Sequence, residues 1–261
     1  MQILEIITAN IDLLALLFLL LFIVFFVLFT YRAKKGARVH LRQNRLYARL
    51  LNLAAQAVET GKPIHLGMGI GSLSGGIGPN VGTAESFIAL TVFATLADRA
   101  RGAVRPLLGT TADGTVLAAA LGIVHRRNAQ NGQAGLALNK AVRFYGPDPL
   151  AYAAGVRQTL AGEKPLANVL LGQLGAEGLW IAETNIKNTP AQLGGTTPPT
   201  SSALLAVSLD QMVIGEDVFA AGAYLGRIAH LGSLVTQDLM RVVIILSILV
   251  GVILASLGYW V

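Results

Sequence analysis

Two long apolar runs, one near each end of the chain, constrain the fold more than any other feature. Residues 13–29 read LLALLFLLLFIVFFVLF, and residues 242–261 read VVIILSILVGVILASLGYWV. With its flanking residues, each run reaches about the 20 apolar residues that a helix needs to cross a bilayer. A cleaved signal peptide does not fit the first run, because Glu5 and Asp12 precede it and the basic residues follow it. The sequence therefore predicts two terminal transmembrane helices.

The composition agrees with a membrane protein. Hydrophobic residues make up 54% of the chain and charged residues 13%, whereas soluble domains carry about 25% charged residues. The chain contains no cysteine, which excludes disulfides and thiolate metal sites. No two histidines share a helix face at ligand spacing, so no metal site is predicted. The histidines are His40, His65, His125 and His230.

Basic residues set the predicted orientation. Residues 31–49 contain seven Lys or Arg and no acid, and Arg241 stands directly before the second run. The positive-inside rule then predicts that both termini lie outside the cytoplasmic membrane and that the region between the runs is cytoplasmic. We expect no nucleic-acid partner, because the positive charge is concentrated beside the membrane. Either these residues only signal topology or they bind anionic headgroups; the headgroup candidates are Arg32, Lys34, Lys35 and Arg38.

Between the two runs, short apolar segments alternate with helical patterns. This alternation of strand-like and helical segments predicts a mainly parallel, Rossmann-like α/β domain. Strands are predicted in PIHLGMGI, VRPLLGTT, AVRFYG, ANVLLGQLG, LWIAET and SALLAVS, and a long polar loop in TPAQLGGTTPPTSS. The predicted organisation is an extracytoplasmic end (1–12), a first transmembrane helix (13–31), a basic juxtamembrane amphipathic helix (32–60), the cytoplasmic α/β domain (61–215), a helix leading into the membrane (216–241) and a second transmembrane helix (242–261).

Small residues recur at helical spacing towards the carboxyl end. Gly222 and Gly226 form a GxxxG motif, and Ser247, Gly251 and Ala255 follow one another at i, i+4 positions. Small side chains on one face let two helix backbones approach closely in lipid. This pattern predicts a packing face. Its occupant is either the first transmembrane helix of the same chain or a second copy in a homo-oligomer.

Glycines crowd the stretch HLGMGIGSLSGGIGPNVGTAES, residues 65–86. The alternation of Gly67, Gly69 and Gly71 predicts one glycine face on a strand, whereas a dinucleotide fingerprint needs its glycines in a turn. The lysine of a Walker A loop is also absent. A close-packing face followed by a flexible loop is therefore the favoured interpretation. The alternative is an anion at the start of the next helix, with Thr83 assisting and Glu85 competing.

A ligand in an open parallel sheet lies beyond the carboxyl ends of the strands. Asp113 and Asp148 have an equally simple interpretation as helix N-caps, and no G-x-S-x-G elbow or carboxylate cluster for magnesium is present. No catalytic residue and no cofactor is predicted. The candidate ligand-binding residues are Gly69, Gly71, Thr83, Thr111, Asp113, Tyr145 and Asp148, and Thr110, Glu183 and Asn185 are further candidates for this edge.

Two passages carry a resemblance to a known family: GPDPLAYAAGV, residues 146–156, and IGEDVFAAGAYLGRIAHLGSLVTQDLMR, residues 214–241. With GTAES, TTADGT and the two apolar runs, they resemble an uncharacterised bacterial and archaeal family of membrane proteins known as a domain of unknown function. The resemblance implies the architecture of two terminal spans around a central domain. It carries no activity that could be transferred.

Three functional hypotheses follow from the sequence. The favoured one is a non-enzymatic integral membrane scaffold, whose α/β domain and small-residue helices assemble it into a homo-oligomer. The alternative is a membrane-anchored sensor or regulatory subunit that binds a nucleotide or an anion. An enzyme acting at the membrane face is the least favoured. The expected partners are membrane lipid, further copies of the chain and other membrane proteins.

Overall fold

The computed structural model describes residues 11–36, 44–75, 83–100, 107–130, 141–185 and 191–257. The chain divides into two compact units. One comprises Met1–Leu41 with Gly226–Val261, and the other comprises Arg42–Leu225.

The first unit contains two long helices that pack against each other, α1 (Ile11–Lys34) and α9 (Ile228–Ser256). Both are long and apolar enough to cross a membrane: the candidate spans are Ala15–Lys34, with a mean hydropathy of 2.5, and His230–Ser256, with a mean hydropathy of 2.6. The sequence-based expectation of two apolar terminal helices is confirmed.

A single glycine on α9 sets the closest approach of the two helices. A Cβ added at Gly232 would lie 2.6 Å from the Cα of Thr30 and 2.7 Å from its backbone nitrogen, so only glycine fits there. The predicted small-residue face lies elsewhere on α9. Ser247 and Ala255 are exposed, and a Cβ at Gly251 would meet nothing within 4 Å.

The prediction of a continuous helix through residues 216–241 is wrong. A 3-10 turn (Gly215–Val218) and a short helix α8 (Ala221–Tyr224) come first, and Gly226 then has a φ of +86°. A left-handed residue cannot continue a right-handed helix. Gly222 and Gly226 therefore do not form a helical GxxxG face, and Gly222 is buried within the α/β unit.

The second unit is an α/β domain around one parallel sheet, which confirms the predicted fold class. Its strands are β1 (Ile64–Gly69), β2 (Leu107–Thr111), β3 (Val142–Phe144), β4 (Ala167–Gln173), β5 (Gln192–Thr196) and β6 (Gln211–Ile214). Its other helices are α2 (Arg45–Thr60), α3 (Thr83–Arg99), α4 (Gly114–Gln130), α5 (Pro149–Glu163), α6 (Ala176–Asn185) and α7 (Pro199–Ala206). The strand order is β3-β2-β1-β4-β5-β6, with every pair parallel.

Each face of the sheet carries its own hydrophobic core. The larger core joins Ile64, Leu66 and Met68 of β1 to helices α2, α3 and α4. The smaller core joins Leu170 of β4 to helices α5, α6 and α7. Helix α2 belongs to this domain, because its apolar stripe is buried in the larger core; the stripe is Leu46, Leu50, Leu53 and Ala57.

Three predictions about the second half of the domain are wrong. The segments LWIAET and SALLAVS, predicted as strands, lie in helices α6 and α7, and strand β5 lies in the predicted polar loop. Strand β5 has no space for a side chain at Gly194. A Cβ there would lie 2.8 Å from Leu209 and closer still to the carbonyl oxygen of Leu170. Paired glycines, which read as a loop in sequence, are required here by close packing.

Candidate functional site

The strand order reverses direction between β1 and β4. The chain leaves β1 for α3, which packs in the larger core, and leaves β4 for α6, which packs in the smaller core. The two connections therefore part to opposite faces of the sheet at the carboxyl ends of these strands. In open α/β sheets, such a topological switch point is where ligands bind. We call the region at the carboxyl ends of β1 and β4 the switch-point crevice.

Two glycines bring the ends of β1 and β4 together at this point. Gly69 has a φ of +75° and Gly172 a φ of +136°, and both conformations favour glycine. A Cβ at Gly172 would lie 2.9 Å from the carbonyl carbon of Met68, and one at Gly69 would lie 2.9 Å from that of Gln173. The backbone N–H of Ile70 then donates to the carbonyl of Gln173 at 3.0 Å.

The prediction of one glycine face through Gly71 is wrong, because β1 ends at Gly69. Gly67 does form a close-packing position. A Cβ there would lie 2.9 Å from the Leu170 side chain and 3.0 Å from the Tyr152 hydroxyl, so the chain's own α5 packs against it. Gly71 instead begins the connection from β1 to α3, at the crevice.

The start of that connection is held by the first turn of α4. The backbone N–H of Leu73 donates to the Thr115 hydroxyl at 3.0 Å, and the N–H of Ser74 donates to the Ser72 hydroxyl at 3.1 Å. The Ser72 and Ser74 hydroxyls lie 2.8 Å apart. These contacts bring three hydroxyls together at the start of the connection, those of Ser72, Ser74 and Thr115.

Asp113 caps the same helix. Its carboxylate accepts the backbone N–H groups of Thr115 at 2.8 Å and Val116 at 3.0 Å, as well as the Thr115 hydroxyl. Burial alone would raise the pKa of Asp113, but these hydrogen bonds and one from Ser72 outweigh it and lower the pKa. Its interpretation as an N-cap is confirmed. Thr111, at the end of β2, accepts the Asp113 N–H at 3.1 Å.

Tyr145 and Asp148 follow β3, at the far edge of the sheet, and do not join the crevice. Asp148 caps α5 by accepting the N–H groups of Leu150 at 3.0 Å and Ala151 at 2.9 Å. The Tyr145 hydroxyl is hydrogen-bonded to Thr159. Both side chains hold the local structure of α5.

The remaining predicted site residues are dispersed. Glu183 and Asn185 stand at the carboxyl end of helix α6, not after a strand. Thr83 is the first residue of α3, and its side chain and Arg38 lie outside the described residues. Arg32, Lys34 and Lys35 are exposed at the end of α1, where the Lys35 ammonium lies 4.5 Å from the centre of the Tyr31 ring. They belong to the first unit, and the crevice residues belong to the second.

Two buried carboxylates begin the two helices that leave the crevice. Glu85, in the first turn of α3, accepts the Thr197 backbone N–H at 2.7 Å and the Thr197 hydroxyl. Glu177, in the first turn of α6, accepts the Gly175 N–H at 2.6 Å. Negative charge is stabilised at a helix N-terminus. Both carboxylates would repel a densely charged anion. For Glu85, the sequence predicts the same competition with an anion from its position in the first turn of the helix.

A buried hydroxyl beside the Glu85–Thr197 contact has no hydrogen-bond partner among the described residues. Thr196, the last residue of β5, is buried and its side-chain oxygen is unpaired, although its carbonyl accepts the Ser202 hydroxyl at 3.1 Å. It directly precedes Thr197, which binds Glu85. An unpaired buried hydroxyl costs stability.

A buried polar chain, which the sequence analysis missed, runs from the crevice into the domain. The Gly69 N–H donates to the Tyr152 hydroxyl at 3.3 Å, and this hydroxyl lies 3.3 Å from that of Thr110. The Thr110 hydroxyl lies 2.9 Å from Nε2 of His65. Burial raises the pKa of Tyr152 to about 12, so its hydroxyl stays protonated.

His65 continues this chain across the sheet. Its Nδ1 lies 2.7 Å from Oδ1 of Asn168, and Nδ2 of Asn168 donates to Oε1 of Gln192 at 2.7 Å. Because Oδ1 can only accept, Nδ1 carries the proton and Nε2 accepts from Thr110. Burial lowers the pKa of His65 to about 4. The signal in the sequence is a polar residue at or near the start of three apolar strands: His65 in β1, Asn168 in β4 and Gln192 in β5.

Comparison with known proteins supplies a family. No curated protein and no solved structure matches the chain. A family model described as "Domain of unknown function (DUF6754)" matches residues 6–261. The resemblance to an uncharacterised family is confirmed at this level. The chain, with its parallel α/β domain and its two candidate membrane helices, belongs to the DUF6754 family.

Proposed function

We propose that this protein is a membrane-anchored nucleotide-binding protein, whose ligand occupies the switch-point crevice. The observation that supports it is the reversal of strand order between β1 and β4, with the glycine-rich connection leaving β1 at that point. Dinucleotide-binding sheets have this strand order, and their ligand lies at the reversal. Helices α1 and α9 anchor the domain in the membrane.

The groups at the crevice favour some nucleotides over others. Ser72, Ser74 and Thr115 supply hydroxyls, and backbone N–H groups at the start of α3 supply donors. Glu85 and Glu177 place two buried carboxylates beside the crevice, and their negative charge repels phosphate. We therefore expect AMP or NAD⁺ to bind more tightly than ATP.

Thermal unfolding of the full chain in detergent micelles tests this proposal. A ligand at about 100 times its Kd stabilises the folded state by about 2.7 kcal/mol. For a domain of this size, that raises the Tm by about 5–10 °C. Gly71→Val, which places a branched side chain at the start of the connection, should remove the shift produced by AMP. Gly162→Val, at an open position on α5, is the matched control and should keep it.

Two results would contradict the proposal. One is that AMP, NAD⁺ and ATP all leave the Tm of the wild-type chain unchanged at saturating concentration. The other is a shift that survives in Gly71→Val as fully as in Gly162→Val. Circular dichroism of both variants without ligand establishes that each is folded.

We further propose that the chain associates with other copies through α9. In support of this, the α9 residues Ser247, Gly251 and Ala255 are uncovered within the chain, whereas Gly232 is used against α1. Small residues on a membrane helix allow close packing of a second helix. Native mass spectrometry should show an oligomer that Gly251→Leu weakens and Val252→Leu, at the neighbouring exposed position, does not. A monomer in both detergent and nanodiscs would contradict the proposal.

Orientation in the membrane can be tested directly, because the chain contains no cysteine. We propose cytoplasmic exposure of the α/β domain and extracytoplasmic termini, as the basic residues after the first run indicate. Ser74→Cys should react with a membrane-impermeant maleimide only after cell lysis. Leu257→Cys, at the end of α9, should react in intact cells or spheroplasts. The opposite labelling pattern would reverse the proposed orientation.

A further inference from the structure

A cavity lined by residues from the beginning and the end of the α/β domain's sequence lies apart from the switch-point residues. It has a volume of about 260 Å³. Its walls come from the start of α2, from edge strand β6, from the 3-10 turn and from α8. The residues that carry the argument are Asn44, Arg45, Gln211, Met212, Asp217 and Tyr224.

Two exposed charged side chains at this cavity, and one buried amide in its wall, have polar groups without a partner among the described residues. Oε1 of Gln211 is buried and has no hydrogen-bond partner among the described residues. Arg45 is exposed, and within the described residues neither its guanidinium nor the carboxylate of Asp217 has an ion-pair partner. The cavity thus presents one cation and one anion, and one unsatisfied acceptor is buried in its wall.

The aromatic wall of the cavity is fixed from behind. The rings of Tyr224 and Tyr47 stack with centroids 5.3 Å apart and planes 13° apart. The Tyr47 hydroxyl donates to the backbone carbonyl of Asp217 at 2.9 Å. Burial, and then the charge of Asp217, raise the pKa of Tyr47, so that hydroxyl remains a donor. The cavity wall is therefore preformed.

We infer that this cavity binds a small zwitterion with a primary ammonium and a phosphate, the chemistry of a phosphoethanolamine group. An ammonium has three N–H donors, and the carboxylate of Asp217 accepts such donors. Arginine binds phosphate oxygens through charge-assisted hydrogen bonds, so Arg45 takes the phosphate. Tyr224 offers an aromatic ring to the cation.

The zwitterion could come from a lipid headgroup or from solution. Only five residues separate Tyr224 from the candidate span that begins at His230. Because we propose that α9 is membrane-embedded, the headgroup of phosphatidylethanolamine is one candidate source of the zwitterion. The assignment to a lipid headgroup depends on the proposal that α9 is membrane-embedded, but the binding of a zwitterion does not. Nucleotide binding at the crevice is not required for either.

Isothermal titration of O-phosphoethanolamine into the full chain in maltoside micelles tests the inference. We expect saturable binding at one site. Arg45→Gln and Asp217→Asn should each weaken it by about tenfold or more, since each removes a charge-assisted hydrogen bond. The matched controls Arg126→Gln and Glu59→Gln, at exposed positions of α4 and α2, should leave binding unchanged. Ethanolamine alone and inorganic phosphate alone should bind more weakly.

Two outcomes would overturn the inference: no saturable binding at millimolar O-phosphoethanolamine, or equal binding by wild type, Arg45→Gln and Asp217→Asn. The Tm of each variant establishes folding. Nanodiscs then identify the source. If the soluble probe no longer binds in phosphatidylethanolamine nanodiscs but still binds in phosphatidylglycerol nanodiscs, the ligand of the site is the lipid headgroup. Equal binding in both assigns it to a soluble zwitterion.

Discussion

Acid should destabilise the α/β domain through His65 before the carboxylates titrate. The ring is fully buried between Thr110 and Asn168, and burial lowers its pKa from 6.5 to about 4. In the unfolded chain the ring binds a proton more readily than in the folded domain. The free energy of unfolding therefore falls as the pH falls through 6.5 towards 4, and this contribution is fully present only above pH 6.5.

The expected size of the effect follows from the pKa difference. Between pH 7.5 and pH 5, the linkage relation gives a loss of about 2 kcal/mol. For a domain of this size, that corresponds to a fall in Tm of about 4–8 °C. Differential scanning calorimetry of the full chain in micelles, at several pH values across this range, measures it. This pH range lies above the ordinary pKa values of Asp and Glu, so protonation of His65 dominates the change in the free energy of unfolding.

The control separates His65 from a general effect of acid. His65→Gln keeps an uncharged, hydrogen-bonding side chain, and we expect it to flatten the dependence of Tm on pH between 7.5 and 5. His125→Gln, at an exposed position on α4, should retain the wild-type slope. A wild-type Tm independent of pH, or a His65→Gln slope equal to that of wild type, would refute the reasoning. The NMR titration of the His65 ring should have its midpoint near pH 4.

Three further predictions follow from the packing. Gly172→Ala should destabilise the domain by several kcal/mol in chemical denaturation, because its Cβ has no space and its φ is +136°; Gly162→Ala, at an open helical position, should instead stabilise it by about 0.5–1 kcal/mol. Gly232→Leu should separate α1 from α9, seen as lost cross-linking between them, whereas Gly251→Leu should not. Asp148→Ala should cost about 1 kcal/mol of unfolding free energy, because it removes the cap of α5.

The first half of the domain was predictable from sequence because its elements carry strong local signals. Asp148 with Pro149 marks the start of α5, and the structure has that cap. The apolar stripe of α2 predicts an amphipathic helix, and the structure buries the stripe. In these elements, periodicity and capping residues point to the same local structure.

The second half was not predictable in the same way because long-range packing overrides local pattern. Gly194 and Gly195 read as a loop, yet they form strand β5, since Leu170 and Val213 leave no room for side chains there. The apolar run around Ile181 reads equally well as a strand or a buried helix, and only the packing of α6 in the smaller core decides.

The candidate site depends on long-range contacts that the spacing of residues in the sequence does not predict. The Glu85–Thr197 and His65–Asn168 contacts join residues more than a hundred positions apart. Likewise, the alternation of glycines predicts a strand face but not the strand end at Gly69. That end depends on the close approach of Gly172 from β4. The strand order, which creates the crevice, is a property of the whole sheet.

Hydrogen–deuterium exchange of the full chain in nanodiscs, with and without AMP, tests the central claim most directly. Binding at the switch-point crevice should slow exchange in peptides covering residues 69–75 and the start of α3, and leave the β3 edge unchanged. Protection confined to other elements, or no protection at saturating AMP, would contradict the account.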